Sequence, residues 1–206
     1  MRTTRFALFL TAASLLACQP APATTGSDSG PPADTGPQAC TVPTGDMTHP
    51  IGTEVGRTMR DFTLPRCDDT PFHFYGEAEG FCAARLTVLT IAAGWCGPCR
   101  LEATQIQAAL ADAYAAQGVR VVQVLIQDDN HLPPDAAFCQ GWVNQYGLTF
   151  PELYDPTQIT QIYFPMGALP ATLIVDSQGV IVHREYGTTA NLTSIRTALD
   201  TILAGM

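Results

Sequence analysis

The alternation of apolar and polar positions divides this 206-residue chain into a short apolar leader, a polar spacer and one long segment with regular periodicities. Phe6 to Ala17 is apolar and follows Arg2 and Arg5. It is shorter than the ~20 residues a membrane-spanning helix needs, so it reads as an export signal. Pro20, Pro22, Pro31, Pro32 and Pro37 then stand among Ala, Thr, Ser, Gly and Asp with no apolar period. Such a stretch buries too little surface to offset its ordering entropy, which predicts a tether.

From Val55 the pattern changes. Asp61 to Leu64 and Pro71 to Tyr75 predict two short strands around a polar turn. Leu86 to Ala92 is an almost unbroken apolar run, as in a strand covered on both faces. Ala103, Ile106, Leu110, Ala113 and Tyr114 recur at helical spacing until Gly118, and Val119 to Ile126 predicts a second buried strand. Strand, helix, strand is the unit that builds a parallel sheet. A helix is expected from Asp135, its candidate cap, to Tyr146. Ala171 to Val175 and Val180 to Tyr186 predict two strands about the turn Asp176 to Gly179, and a helix from about Asn191 to Leu203 ends the pattern. The expected division is a signal over 1–17, a linker over 18–54 and one α/β domain over 55–206.

Charge narrows the partners. The formal net charge is −9, and removal of the signal would take away Arg2 and Arg5 and deepen it. A surface that acidic repels phosphate backbones, so nucleic acid is not an expected partner. The leader ends in Leu15-Leu16-Ala17-Cys18, which resembles a bacterial lipobox. Cleavage before Cys18 would leave a cysteine for acylation and hence a lipid anchor; the alternative is an ordinary secretory signal with Cys18 incidental. Gln19, where an Asp would favour retention at the inner membrane, points to the outer membrane. Both readings place the domain outside the cytoplasm, where disulfides persist, and the lipobox reading places it in the bacterial cell envelope, facing the periplasm or the exterior.

The chemistry concentrates in Gly94-Trp95-Cys96-Gly97-Pro98-Cys99, between a predicted buried strand and a predicted helix. Cys96 falls just before the helix, where unsatisfied amides and the helix dipole stabilise a thiolate; Pro98 suits the first turn. Cys96 is therefore the candidate nucleophile and Cys99, one turn in, the candidate resolving thiol. Trp95 is placed to shield the pair and to offer partners an apolar contact. A static disulfide or half of a zinc site are the bland readings, but zinc calls for a second cysteine pair and none is closely spaced. His49, His73, His131 and His183 also lack ligand spacing, so neither metal nor cofactor is expected. Glu102 lies three residues after Cys99 and on the same helix face, where the residues alone read as a surface acid complementing the helix N-terminus.

Trp95 to Cys99 matches the thioredoxin motif residue for residue, and Leu169-Pro170 resembles that family's cis-proline site. With the export signal, the hairpin, the inserted helix and the Asp176 to Gly179 turn, residues from about 55 to 205 resemble the membrane-attached TlpA/ResA-like thiol:disulfide oxidoreductases. The resemblance implies a thioredoxin-like α/β fold, a mixed sheet flanked by helices with an N-terminal β-hairpin and one inserted helix. It implies that Pro170 faces the cysteines and that the backbone at Leu169 receives substrate. It also implies that Glu102 tunes cysteine protonation. Cytosolic thioredoxins carry a buried aspartate six residues before the first cysteine; Thr90 stands there and offers no carboxylate.

The implied activity is reduction of protein disulfides by monomers drawing on an upstream membrane electron donor, with apocytochrome c among the possible substrates. Thiol peroxidase chemistry and a non-enzymatic copper- or haem-handling lipoprotein are the alternatives. The direction of electron flow stays open. Of the other cysteines, Cys67 and Cys82 flank the second hairpin strand and are expected to form a structural bridge, leaving Cys40 and Cys139 paired or free.

Overall fold

The computed structural model describes residues 41–165 and 167–206. The signal, the tether, Cys18 and Cys40 lie outside the described residues. Strands β1 (Thr63–Pro65) and β2 (Pro71–His73) form an antiparallel ribbon. Strands β3 (Leu86–Ala92), β4 (Val119–Leu125), β5 (Glu152–Tyr154), β6 (Ala171–Asp176) and β7 (Ile181–Tyr186) form one sheet in the order β5-β4-β3-β6-β7. Pairing is parallel from β3 through β4 to β5 and antiparallel from β3 through β6 to β7. All seven residues of β3, the central strand, are buried, as its almost unbroken apolar sequence predicts.

Helix α1 (Gly97–Ile106) continues through a π-type turn (Gln107–Asp112) and a 3-10 turn (Ala115–Gln117), so the predicted single helix is wound in three ways. Gly118 ends it at φ 79°, a left-handed cap that suits glycine. Helix α2 (Ala136–Tyr146) begins where expected, because an Asp135 carboxylate oxygen accepts from the Phe138 amide at 2.8 Å. Helix α3 (Thr193–Ala204) buries Ile195 and Leu199.

The two faces of the sheet carry different chemistry. On one, the Arg120 side chain lies 5.0 Å from the Phe74 ring and 5.4 Å from the Phe81 ring. It donates to Thr87 Oγ1 and to the Glu79 and Phe74 carbonyls, tying β4 to β3 and to the segment after the ribbon. The other face bears Thr90 and Gln123, two residues in register at the centre of the sheet. Trp142 of α2 reaches this face with a hydrogen bond to Gln123.

Three expectations are corrected. Strand β5 was not foreseen; it pairs only Glu152 to Tyr154 with β4 and contains an acid, so no apolar alternation marks it. Residues 41–54, assigned to the linker, instead include segments seated against the domain. Gly52 and Thr58 exchange backbone hydrogen bonds with the loop around them, Arg184 of β7 donates to the Thr53 carbonyl, and a Cβ on Gly179 would lie 2.7 Å from Pro43. The expected Cys67–Cys82 bridge is not formed: Cys67 is joined to Cys139, with Cα atoms 5.1 Å apart. The cause is topological, since a bridge between Arg66 and Leu153 lays the end of the β1 strand along β5, where α2 packs. Both sulfurs therefore gather near one carbonyl, that of Glu152, at 3.6 and 3.9 Å. This also excludes a Cys40–Cys139 pairing. Cys82 is itself disulfide-bonded.

Candidate active site

The junction between β3 and α1 fixes the cysteine pair. Cys96 is the N-cap of α1 and has extended backbone angles, and its sulfur accepts from the Cys99 amide at 3.2 Å. That amide is one of the donors a helix start leaves unpaired, so a Cys96 thiolate would meet a ready partner together with the positive end of the helix dipole. Cys96 and Cys99 are joined in a disulfide with Cα atoms 5.2 Å apart. Cys96 is 4% exposed and Cys99 fully covered, the asymmetry that suits an attacking and a resolving thiol.

The residues before the pair are held tightly. The Gly94 amide donates to the Gln127 carbonyl, and the Gly94 carbonyl accepts from Arg100 Nε at 2.6 Å. A Cβ at Gly94 would lie 2.5 Å from Asp129 Oδ1 and 2.7 Å from the Phe138 ring, so glycine is needed for this close approach. Arg100 also pairs with Asp129 at 2.5 Å. Trp95 is 39% exposed; its ring stacks on His131 with centroids 4.7 Å apart, and its Nε1 donates to Gln127 Oε1 at 2.9 Å. His131 thus packs against the face of the tryptophan.

The Leu169-Pro170 peptide is cis. Ile91 of β3 pairs with Ala171 of β6, so Pro170 lies just past the sheet at the end where β3 leads into Trp95 and Cys96. The Pro170 carbonyl accepts from the Gly187 amide at 2.8 Å, which anchors the loop to the end of β7. Leu169 is half-buried and Pro170 buried beside it.

Glu102 is not a surface acid. It is fully buried one turn beyond Cys99, and neither carboxylate oxygen has a hydrogen-bond partner. Burial pushes its carboxyl up to about 8; the Thr90 hydroxyl opposes this in part, and the negative charge of Glu185 adds to it. A carboxyl whose native affinity for protons is raised stabilises the fold at low pH and loses that advantage as pH rises through its native value. The oxidised protein should therefore lose stability between about pH 4.5 and about pH 8. Glu102→Gln should flatten that slope, as read by urea denaturation across the range. An unchanged slope would show that Glu102 stays ionised throughout.

A second carboxyl escaped the sequence reading. Glu152 is buried without a hydrogen-bond partner, and burial raises it well above the ordinary range. Register places it in one row across the sheet, Glu152, Gln123, Thr90, Thr172 and Glu185. Gln123 was detectable as the single amide in a buried strand that is apolar apart from it and Arg120; Glu152 carried no such signal.

Among the described residues, no group of three or more His, Cys, Asp or Glu is arranged to hold a metal ion. The pair at the helix start, the cis-proline loop and the mixed sheet can be set beside known proteins. A family model described as Redoxin matches residues 54–199, well over half of the chain. The chain belongs to the Redoxin family. Among curated relatives, it is 32% identical over 101 residues to the thiol:disulfide interchange protein DsbE of Yersinia pestis, covering 48% of each chain. It is 30% identical over 93 residues to the thiol-disulfide oxidoreductase ResA of Bacillus anthracis, covering 45% of this chain and 50% of that one. The chain thus spans about half the length of the curated relatives it matches.

Solved structures agree in fold. A secreted disulfide oxidoreductase of Mycobacterium tuberculosis, homologous to DsbE of E. coli, aligns with a TM-score of 0.52 at 20% identity over 68% of this chain and 95% of that one. StoA of Bacillus subtilis aligns with a TM-score of 0.51 at 17% identity over 68% and 96%. At that identity the likeness establishes the thioredoxin-like fold of this Redoxin domain. Among its described residues, no helix is long and apolar enough to cross a membrane.

Proposed function

We propose that this Redoxin protein is a thiol:disulfide oxidoreductase that reduces disulfides of protein substrates outside the cytoplasm. The observation that carries the proposal is the disulfide of Cys96 and Cys99 at the start of α1, with one slightly exposed and one fully covered cysteine. In the reduced protein the Cys96 thiolate attacks one sulfur of a substrate disulfide. A mixed disulfide forms, and the other substrate sulfur leaves as a thiolate. Cys99 then gives its proton to the Glu102 carboxylate and attacks the Cys96 sulfur, which expels the second substrate thiolate and closes the Cys96–Cys99 disulfide. Two electrons pass to the substrate. A dithiol donor, for which an upstream membrane protein is the natural source, must restore them.

Trp95 and the loop at Leu169 and Pro170 border the pair and form the substrate-facing surface. A peptide laid along the loop would run beside Cys96, continuing the sheet at the open start of β6. The lipobox-like Leu15 to Cys18 supports attachment of the chain to a membrane through acylated Cys18, with residues 19–39 as tether, and Gln19 favours the outer membrane. Apocytochrome c belongs to the same substrate class, and a monomer suffices for the chemistry.

Wild-type protein should reduce the disulfides of insulin with dithiothreitol as donor. Peroxide should not be consumed at enzyme-like rates. Rapid peroxide turnover with no insulin reduction would instead make this a thiol peroxidase.

A further inference from the structure

Behind the cysteine pair lies a chain of hydrogen bonds whose direction is fixed by its first member. Trp142 Nε1 carries a hydrogen and no lone pair, so it can only donate; it bonds Gln123 Oε1 at 2.9 Å. That contact orients the Gln123 amide, because the reverse orientation would set two N–H groups against each other. Gln123 Nε2 must then face the other way, where it donates to Thr90 Oγ1 at 2.8 Å. The Thr90 oxygen is therefore engaged as an acceptor, and its own proton is left to be given onward. All three side chains are buried, Trp142 at 3% exposure and the other two at none.

The onward direction leads to Glu102. Its carboxylate is fully covered, with both oxygens unpartnered, and the Thr90 hydroxyl is the polar neighbour that lowers its proton affinity. The chain is one contact short of complete in the oxidised protein. We propose that Trp142, Gln123 and Thr90 are positioning residues for Glu102, forming a one-way chain of donors whose last hydroxyl closes on the carboxylate when Glu102 ionises.

The chemistry follows from where protons sit. A buried carboxylate without a donor would hold its proton too firmly to receive another from Cys99 at neutral pH. Each donation along the chain polarises the next, so the hydroxyl that reaches Glu102 is a better donor than an isolated threonine. Thr90 occupies a place where a carboxylate base would lie directly in the sheet. Here it serves the acid on the helix instead.

Other ionisable groups face the same space and must be separated from the effect. Glu185 of β7 adds negative charge and is itself bonded to His183 Nε2 at 2.9 Å and to Ser194 Oγ at 2.6 Å. Glu152 of β5 lies beyond Gln123 in the same row, Cys99 lies on the helix carrying Glu102, and Arg100 of that helix lies 6.0 Å from the Trp142 ring. None of the three chain members is ionisable, so their substitution leaves the charge of the site unchanged.

The inference rests on the role proposed for Glu102, and its test does not require turnover. In the oxidised full-length protein the Cys96 and Cys99 thiols do not titrate, so the Glu102 carboxyl can be followed by carbon NMR against pH, with Glu102→Gln assigning the signal. Thr90→Val removes the hydroxyl at nearly constant volume and should raise the Glu102 midpoint by about one pH unit, a tenfold gain in proton affinity. Thr90→Ser keeps the donor and should titrate like wild type, whereas Trp142→Phe should shift the midpoint upward by a smaller amount. In the reduced enzyme, the alkaline-side rise of disulfide reduction should move with the midpoint. Should Thr90→Val fail to fold, Gln123→Met carries the test with the same sign. A folded Thr90→Val or Gln123→Met with the wild-type midpoint would overturn the proposal, as would a Thr90→Ser shift as large as that of valine. A protein inactive on insulin but showing the predicted midpoint shifts would contradict the proposed function and leave this chain standing.

Discussion

Replacing Cys96 by serine is expected to bring insulin disulfide reduction down to the uncatalysed background, a loss of at least about a thousandfold. Cys96 is the more exposed sulfur of the pair, and the Cys99 amide points at it from the start of α1. Both features favour a thiolate at that position and nowhere else along the motif. Serine keeps the size and the helix cap but is not ionised at neutral pH, and an alcohol does not exchange with disulfides. Circular dichroism should show an unchanged fold. Cys99, which is covered, should not substitute for the missing nucleophile; near-normal turnover in the folded variant would transfer the attacking role elsewhere.

The second large effect is on stability. Removing both Cys67 and Cys139, as Cys67→Ala with Cys139→Ala, should cost about 4 kcal/mol of unfolding free energy. The bridge closes a loop with a sequence separation of 72, long enough for its removal to free much of the unfolded chain. The bridge also ties the end of the β1 strand to α2 across the Glu152 carbonyl, on the short edge strand β5. A fall in melting temperature of roughly 10 °C is expected, with insulin reduction retained at lower temperature because Cys96 and Cys99 belong to other elements. A loss below about 1 kcal/mol would mean that packing of α2 on β5 suffices without the bridge. Doubling the substitution avoids leaving one reactive thiol beside the remaining disulfides.

How far the sequence led depends on whether each feature is local. The cap at Asp135, the left-handed Gly118, the almost unbroken apolar β3 and the placement of Cys96 before a helix are written in neighbouring residues, and each appears in the structure. Pro170 was singled out by the resemblance of Leu169-Pro170 to the thioredoxin family's cis-proline site, and its peptide is cis. The disulfide partner of Cys67 was missed because it is set by the contact of Arg66 with Leu153, which no spacing reveals. The row from Glu152 to Glu185 was missed for the same reason: five strands must be aligned before those residues meet. Residues 41–54 fall before Val55, where the regular pattern begins, and so count with the linker on sequence alone. Their order comes from contacts such as Arg184 with Thr53 and with Glu54.

Glu102 shows how the two levels combine. Helical spacing put it on the same face as Cys99, and only the packed structure shows that this face is fully covered. A carboxyl there is a different reagent from one in water. Its neighbours Thr90 and Glu185 pull its proton affinity in opposite directions, so the site can be tuned without touching either cysteine.

Which sulfur meets the substrate decides the chemistry most directly. Reduced Cys99→Ala protein, incubated with a peptide containing one disulfide and analysed by intact mass and peptide mapping, measures this in a single step. The prediction is one peptide adduct per protein, held on Cys96 and released by dithiothreitol. An adduct on any other cysteine, or none while the protein remains folded with Cys96 reduced, would contradict it.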